Sequence, residues 1–357
     1  MDAFVMTACT LTLASAINLN AQETAIEDRR AVELTLDGDR LMPNENVASQ
    51  AALSRTTSAH WLDRTQSGLH RLVWRTASRI DGLFGAQADE AAYQEASGSL
   101  SPALLWDEFG GFEEQFRFRA NLPLPQLDER VDAFIGRVNR EEYVTERAEE
   151  SGAFRRQYGS PEPDETLFGI RYREPRQGGH FDAGAGLRVR SPLDPYVKGS
   201  WRFDHGASDR TLLSLKETVF WQNSEEFGLT SRLDIERVFD PGWLVRGTIS
   251  GTFSPESQGV RGYTTLTMMR GFPGRRAVAA ELFMSGEFDA NVPTEEYGMK
   301  FAYRRSVMRD WLVLEVRSSL TWPKDLPEQS RKPNWGVGVG FEMYFGDAEF
   351  SAKPVTF

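Results

Sequence analysis

Residues 335–346 read WGVGVGFEMYFG. Trp335, Val337, Val339, Phe341, Met343 and Phe345 alternate with Gly336, Gly338, Gly340, Glu342, Tyr344 and Gly346. The period is two throughout, so one face is wholly apolar and the other carries glycine, a carboxylate and a phenol. A strand of a soluble sandwich seldom needs so complete an apolar face. A strand that crosses a bilayer needs roughly 9–11 residues, one face in lipid and the other toward a lumen. The stretch predicts the last strand of a transmembrane β-barrel, with Phe341, Met343 and Phe345 as its assembly signal.

Working back along the chain, short alternating segments recur as far as about Leu100, separated by turn chemistry such as Arg-Gln-Gly-Gly (176–179), Asp-Pro-Gly (240–242) and Phe-Pro-Gly (272–274). The clear ones are 112–122, 167–173, 181–190, 197–204, 227–239, 243–254, 297–304, 312–322 and the final strand. Weaker ones are 99–106, 131–138, 211–221, 260–269 and 278–288. The expected fold is therefore all-β, an antiparallel barrel over 99–346 with about 14 strands, or 12 if the first and third segments fail. An even number puts both ends of the barrel on one side. The longest connections, 139–165 and 323–334, then fall on the opposite side from the Asp-Pro-Gly turn, which matches short periplasmic turns and long outer loops. Trp243 and Trp311 open strands at one predicted end, while Trp106, Trp221, Trp322 and Trp335 stand at the other. Indole prefers the membrane interface, so this clustering fits a barrel that spans a bilayer.

The rest of the composition is compatible with that reading. A net charge of −11 over 357 residues argues against nucleic-acid binding. A mean hydropathy of −0.45 is low for helical membrane proteins, but barrel strands bury only alternate residues in lipid. The sole cysteine, Cys9, lies in the longest uncharged run, Ala3–Gln22. With small-residue sites at its end, residues 1–21 read as a signal peptide, although Asp2 stands where a cation is expected; a transmembrane anchor is the alternative. Residues 22–98 are expected in the periplasm. An acidic stretch, 22–55, precedes an amphipathic helix, 56–85, with apolar residues at helical spacing and an arginine stripe. That helix could lie on a membrane surface or pack against the barrel. Residues 347–357 form a tail beyond the last strand.

On the clear strands, the face opposite the apolar one carries Arg117, Arg119, Arg188, Arg190, Arg202, Arg232, Arg246 and Arg317, with further cations. The acids on that face are Asp182, Asp204, Asp234, Glu236, Glu315 and Glu342. An excess of cations in a lumen raises the local concentration of anions. A pore for small anionic solutes in the Gram-negative outer membrane is the leading functional class. The competing reading is a salt-bridged, closed interior in a structural or surface-interaction protein, with 139–165 as its contact loop.

An embedded lipid hydrolase is the third class. Outer-membrane phospholipases resemble a closely spaced His and Ser on one strand face, but His205-Gly206-Ala207-Ser208 puts the serine at an odd spacing. No catalytic residue is assigned. No phosphate loop, zinc cluster or calcium loop is present in the sequence, so no cofactor or metal is expected. Phe116–Arg137, Glu217–Leu229 and Ile80–Gly85, together with the terminal strand, resemble a family of uncharacterised proteobacterial proteins predicted to be outer-membrane barrels. The resemblance implies that location and fold, with outer-membrane lipids and the barrel-assembly machinery as partners, and no activity.

Overall fold

The computed structural model describes residues 96–346, except positions 126, 129, 140, 147–163, 177–178, 240–241 and 258. The signal peptide, the acidic segment, the amphipathic helix and the tail lie outside the described residues. Fourteen strands follow one another: β1 (Ser97–Asp107), β2 (Gly111–Pro123), β3 (Val131–Val138), β4 (Glu165–Arg176), β5 (Gly179–Arg188), β6 (Asp194–Ser208), β7 (Thr211–Gln222), β8 (Glu226–Val238), β9 (Trp243–Phe253), β10 (Val260–Phe272), β11 (Arg276–Glu287), β12 (Glu296–Val307), β13 (Arg309–Thr321) and β14 (Asn334–Phe345). Each pairs with the next, and β14 returns antiparallel to β1, closing the barrel.

The count is fourteen, not twelve, because β1 and β3 both form. Their weak alternation has a physical cause. Ala103 and Leu105 of β1, and Phe134 and Val138 of β3, are apolar residues on the inner face, so those strands are apolar on both sides. Closure leaves no edge strand, so ladder hydrogen bonding runs right round the barrel. The connections are asymmetric. At the end holding both termini of the barrel they include 177–178, 209–210, 273–275 and the single residue Met308; at the other they include 139–164 and 322–333. Gly242 and Gly274, in the turns read from sequence, have φ of 96° and 81°, which favour glycine.

Burial is inverted relative to a soluble protein. Phe301 is 48% exposed, while its neighbour Lys300 is 3% exposed. The same contrast runs round the wall: Val197, Ile249, Leu266, Val316 and Val337 face outward, and Thr218, Thr230, Thr252, Arg232 and Ser319 are buried inside. A continuous apolar belt of this extent is not tolerated in water. It is the surface of a barrel that spans a bilayer. Among the described residues, one ionisable group interrupts the middle of the belt: Glu217 on β7, half-buried, accepts a hydrogen bond of 2.6 Å from Ser231 on β8.

On β14, Trp335, Val337, Val339 and Phe341 are exposed as the alternation predicts. Phe345 shares their face but is only 4% exposed, and it pairs with Gly98 of β1, where the barrel closes.

Candidate functional site

The connection between β3 and β4 does not simply cross outside the wall. Its first part forms a single π-helical turn, Glu141–Thr145, that enters the barrel and packs against β6, β7 and β8. Its seat is an apolar cluster unusual for a lumen: Phe134 and Val138 of β3, Leu167 of β4 and Tyr196 of β6 enclose Tyr143 and Val144. Tyr143 stacks on Phe134, with centroids 4.0 Å apart and planes at 16°, and meets Tyr196 edge-on at 6.2 Å. Burial pushes the Tyr143 phenol up to about 12, against the pull of Arg171 and Arg119, so it remains neutral. The wall makes room for this seat with glycine. The hydroxyl of Tyr196 lies over Gly169 and Gly186, where a Cβ would stand 2.8 and 2.6 Å from it.

The turn delivers Glu146 to the adjoining wall strands β6 and β7. Its Oε1 lies 2.7 Å from Nζ of Lys198 on β6, and its Oε2 2.8 Å from Nζ of Lys216 on β7. Thr218 donates its hydroxyl to Oε2 at 2.8 Å. Lys198 also donates to the Tyr143 carbonyl at 2.5 Å, and its ammonium sits 4.6 Å from the Tyr143 ring centroid. Burial alone would push the Glu146 carboxyl up; the two ammonium groups outweigh it and hold it down to about 2. Lys216 stands halfway along β7, so the contact is at mid-height of the wall. Glu146 has a φ of 55°, rarely adopted by a residue with a side chain. At the other end of the connection, Asp164 is held by Arg117 of β2 at 2.7 Å. A segment with a carboxylate at each end is thus fastened to two parts of the inner wall.

The arginines read from sequence as lumen residues are placed as follows. Arg117, Arg119, Arg188, Arg202, Arg232, Arg246 and Arg317 stand on the inner face of β2, β5, β6, β8, β9 and β13. Arg190 does not: β5 ends at Arg188, and the Arg190 amide bonds back to the Arg188 carbonyl ahead of Ser191-Pro192, turning the chain out of the strand. Its guanidinium meets Asp194 at 3.6 Å from the loop. The inner arginines are not a free cationic field. Arg188 pairs with Glu165 at 2.9 Å and Asp194 at 2.7 Å, Arg202 with Asp204 at 2.9 Å, Arg232 with Asp234 at 2.8 Å and Arg246 with Glu236 at 2.6 Å. Glu315 is shared by Arg317 and Arg304, and Arg304 also reaches Glu342. Arg119 lies 5.8 Å from the Phe134 centroid, beside the seat of the turn.

The expectation of a strongly cationic lumen is therefore corrected. Asp132, Glu165, Asp194, Glu281 and Glu287 face inward too, and the connections add Glu146, Asp164 and Glu225. His180 and Asp182 do come together, at 3.3 Å, but Asp182 is also held by Arg173 at 3.2 Å, as in an ion pair rather than a hydrolytic base. On the last strand, Phe341 faces outward, Met343 is half-buried and Phe345 is at the closure.

No family model and no curated protein matches this sequence. Among solved structures the barrel is similar to the KdgM porin, at 6% identity over 69% of this chain and 98% of that one, with a TM-score of 0.35. It is also similar to an anion-selective porin from Comamonas acidovorans, at 10% identity over 70% and 98% of the two chains and a TM-score of 0.40. CdiB from Acinetobacter baumannii matches at 9% identity over 70% of this chain and 60% of that one, with a TM-score of 0.39. At these scores the likenesses carry no argument; the closed fourteen-strand barrel and its outward apolar belt make the chain a transmembrane β-barrel protein.

Proposed function

We propose that this protein is an outer-membrane channel for small hydrophilic solutes, narrowed at mid-height by the segment that ends in Glu146. The termini of the barrel face the periplasm in this reading, and the long connections face outward, as the asymmetry of loop length favours. The observation that carries the proposal is the inward turn itself. A barrel that only anchors or displays has no need of a separate segment fixed against its inner wall by a carboxylate on two lysines. A channel does, because passage is set at its narrowest point.

Charge preference follows from the same place. The wall arginines are largely offset by carboxylates on their own or adjacent strands, so their long-range field is weak. Lys198 and Lys216 at the constriction set a modest preference for anions. Purified full-length protein in a planar bilayer should give stepwise currents and, under a salt gradient, a reversal potential of anion-selective sign that weakens with ionic strength. Cation selectivity would refute the charge assignment. No current from either the wild type or Glu146→Gln would refute the channel.

A further inference from the structure

We propose that the place occupied by the Glu146 side chain is a binding site for the carboxylate of a passing solute, and that a small carboxylic acid opens the constriction by taking it. The inference rests on the channel reading and names its substrate class. Three donors grip the two oxygens separately: Lys198 takes Oε1, while Lys216 and Thr218 take Oε2. That is a cradle for a planar, two-oxygen anion with charge-assisted bonds to both oxygens. All three donors belong to the wall strands β6 and β7, so the cradle remains when the turn leaves.

Exchange is also chemically balanced. Removing Glu146 alone would take its carboxylate away from Lys198, which is buried, and from the half-buried Lys216, a costly change. Replacing one carboxylate by another keeps both paired throughout, so a carboxylate solute avoids a penalty that a neutral solute cannot. The left-handed φ of Glu146 works in the same direction. A residue with a side chain adopts that region seldom, so release of the turn leaves the backbone free to return to a commoner one.

Isothermal titration of full-length protein in micelles with sodium succinate, and with succinamide as the neutral analogue, tests the site without requiring conductance. Succinate should bind and succinamide should not. Glu146→Gln should bind succinate at least tenfold more tightly, because no internal competitor has to be displaced. Glu146→Ala, which removes the competitor differently, should do the same. Lys198→Met with Lys216→Met should abolish binding. Equal binding of succinate and succinamide, or unchanged succinate affinity in both Glu146 variants, would overturn the proposal. Bilayer recordings separate this from the underlying reading: steps that ignore succinate, with no calorimetric binding, sink the carboxylate site but leave the channel. Succinate binding by a protein that never conducts, as wild type or Glu146→Gln, sinks the channel and, with it, the claim of opening.

Discussion

Phe345, near the end of the last strand, pairs with Gly98 near the start of the first, and a Cβ at Gly98 would stand 2.6 Å from the ring. The aromatic thus fills space that only glycine leaves free, at the seam where the barrel closes. Phe345→Asp should therefore impair closure more than Phe341→Asp, whose side chain faces outward. Gly98→Val should impair it as well, by driving the ring away. The fraction of heat-modifiable, fast-migrating folded protein on a gel measures this. Equal loss for Phe341→Asp and Phe345→Asp would show that outward apolarity, not the seam, governs assembly.

Acid should release the inward turn. The Glu146 carboxyl is held down to about 2 while pinned, against an ordinary value of 4.5. A depressed value means that the contact is fully effective above about pH 4.5 and is lost as pH falls toward about 2. Conductance should be flat from about pH 5 to 8 and should rise below about 4.5, with Glu146→Gln showing no such rise. A wild-type rise centred near neutrality would point to another group.

Two neighbouring lumen positions on β5 should respond differently to a methyl group. At Gly186, Cβ would meet the Tyr196 hydroxyl at 2.6 Å as well as main-chain atoms of β4, whereas at Gly184 its nearest neighbour is at 3.5 Å. Gly186→Ala should lose roughly 1–3 kcal/mol in urea unfolding from micelles, and Gly184→Ala should lose little. Gly186→Ala should also raise conductance, since Tyr196 is part of the seat for Tyr143. Equal effects would mean that the glycines serve only the backbone.

Glu217 lies in the apolar belt and accepts a hydrogen bond from the Ser231 hydroxyl. A carboxylate there is unfavourable in lipid, so Glu217→Leu should stabilise the barrel by about 1 kcal/mol in lipid-reconstituted unfolding. Destabilisation instead would indicate that the Glu217–Ser231 pair contributes to the wall.

The strands were legible because lipid on one side and a polar interior on the other impose a period of two, and all fourteen segments read that way form strands. Glu146 was not legible, because a loop residue has no period. The available hint was Tyr143-Val144, an apolar pair within a charged connection that must be buried somewhere. The inner acids escaped for two reasons. Asp132, Glu281 and Glu287 stand on strands of weak alternation, and Glu165 and Asp194 lie at strand ends beyond the bounds read from sequence. One signal for the ion pairs was present all along. Arg202-Phe-Asp204, Arg232-Leu-Asp234 and Glu315-Val-Arg317 put opposite charges two residues apart, hence on one face of a strand.

The most direct test compares single-channel currents of wild type and Glu146→Gln in the same membranes at neutral pH and low salt. The account predicts that both conduct, that the wild type spends more time in a low-conductance state, and that Glu146→Gln is held in the higher one. Identical current histograms for the two proteins would contradict it, because the carboxylate on Lys198 and Lys216 would then have no hold on the passage.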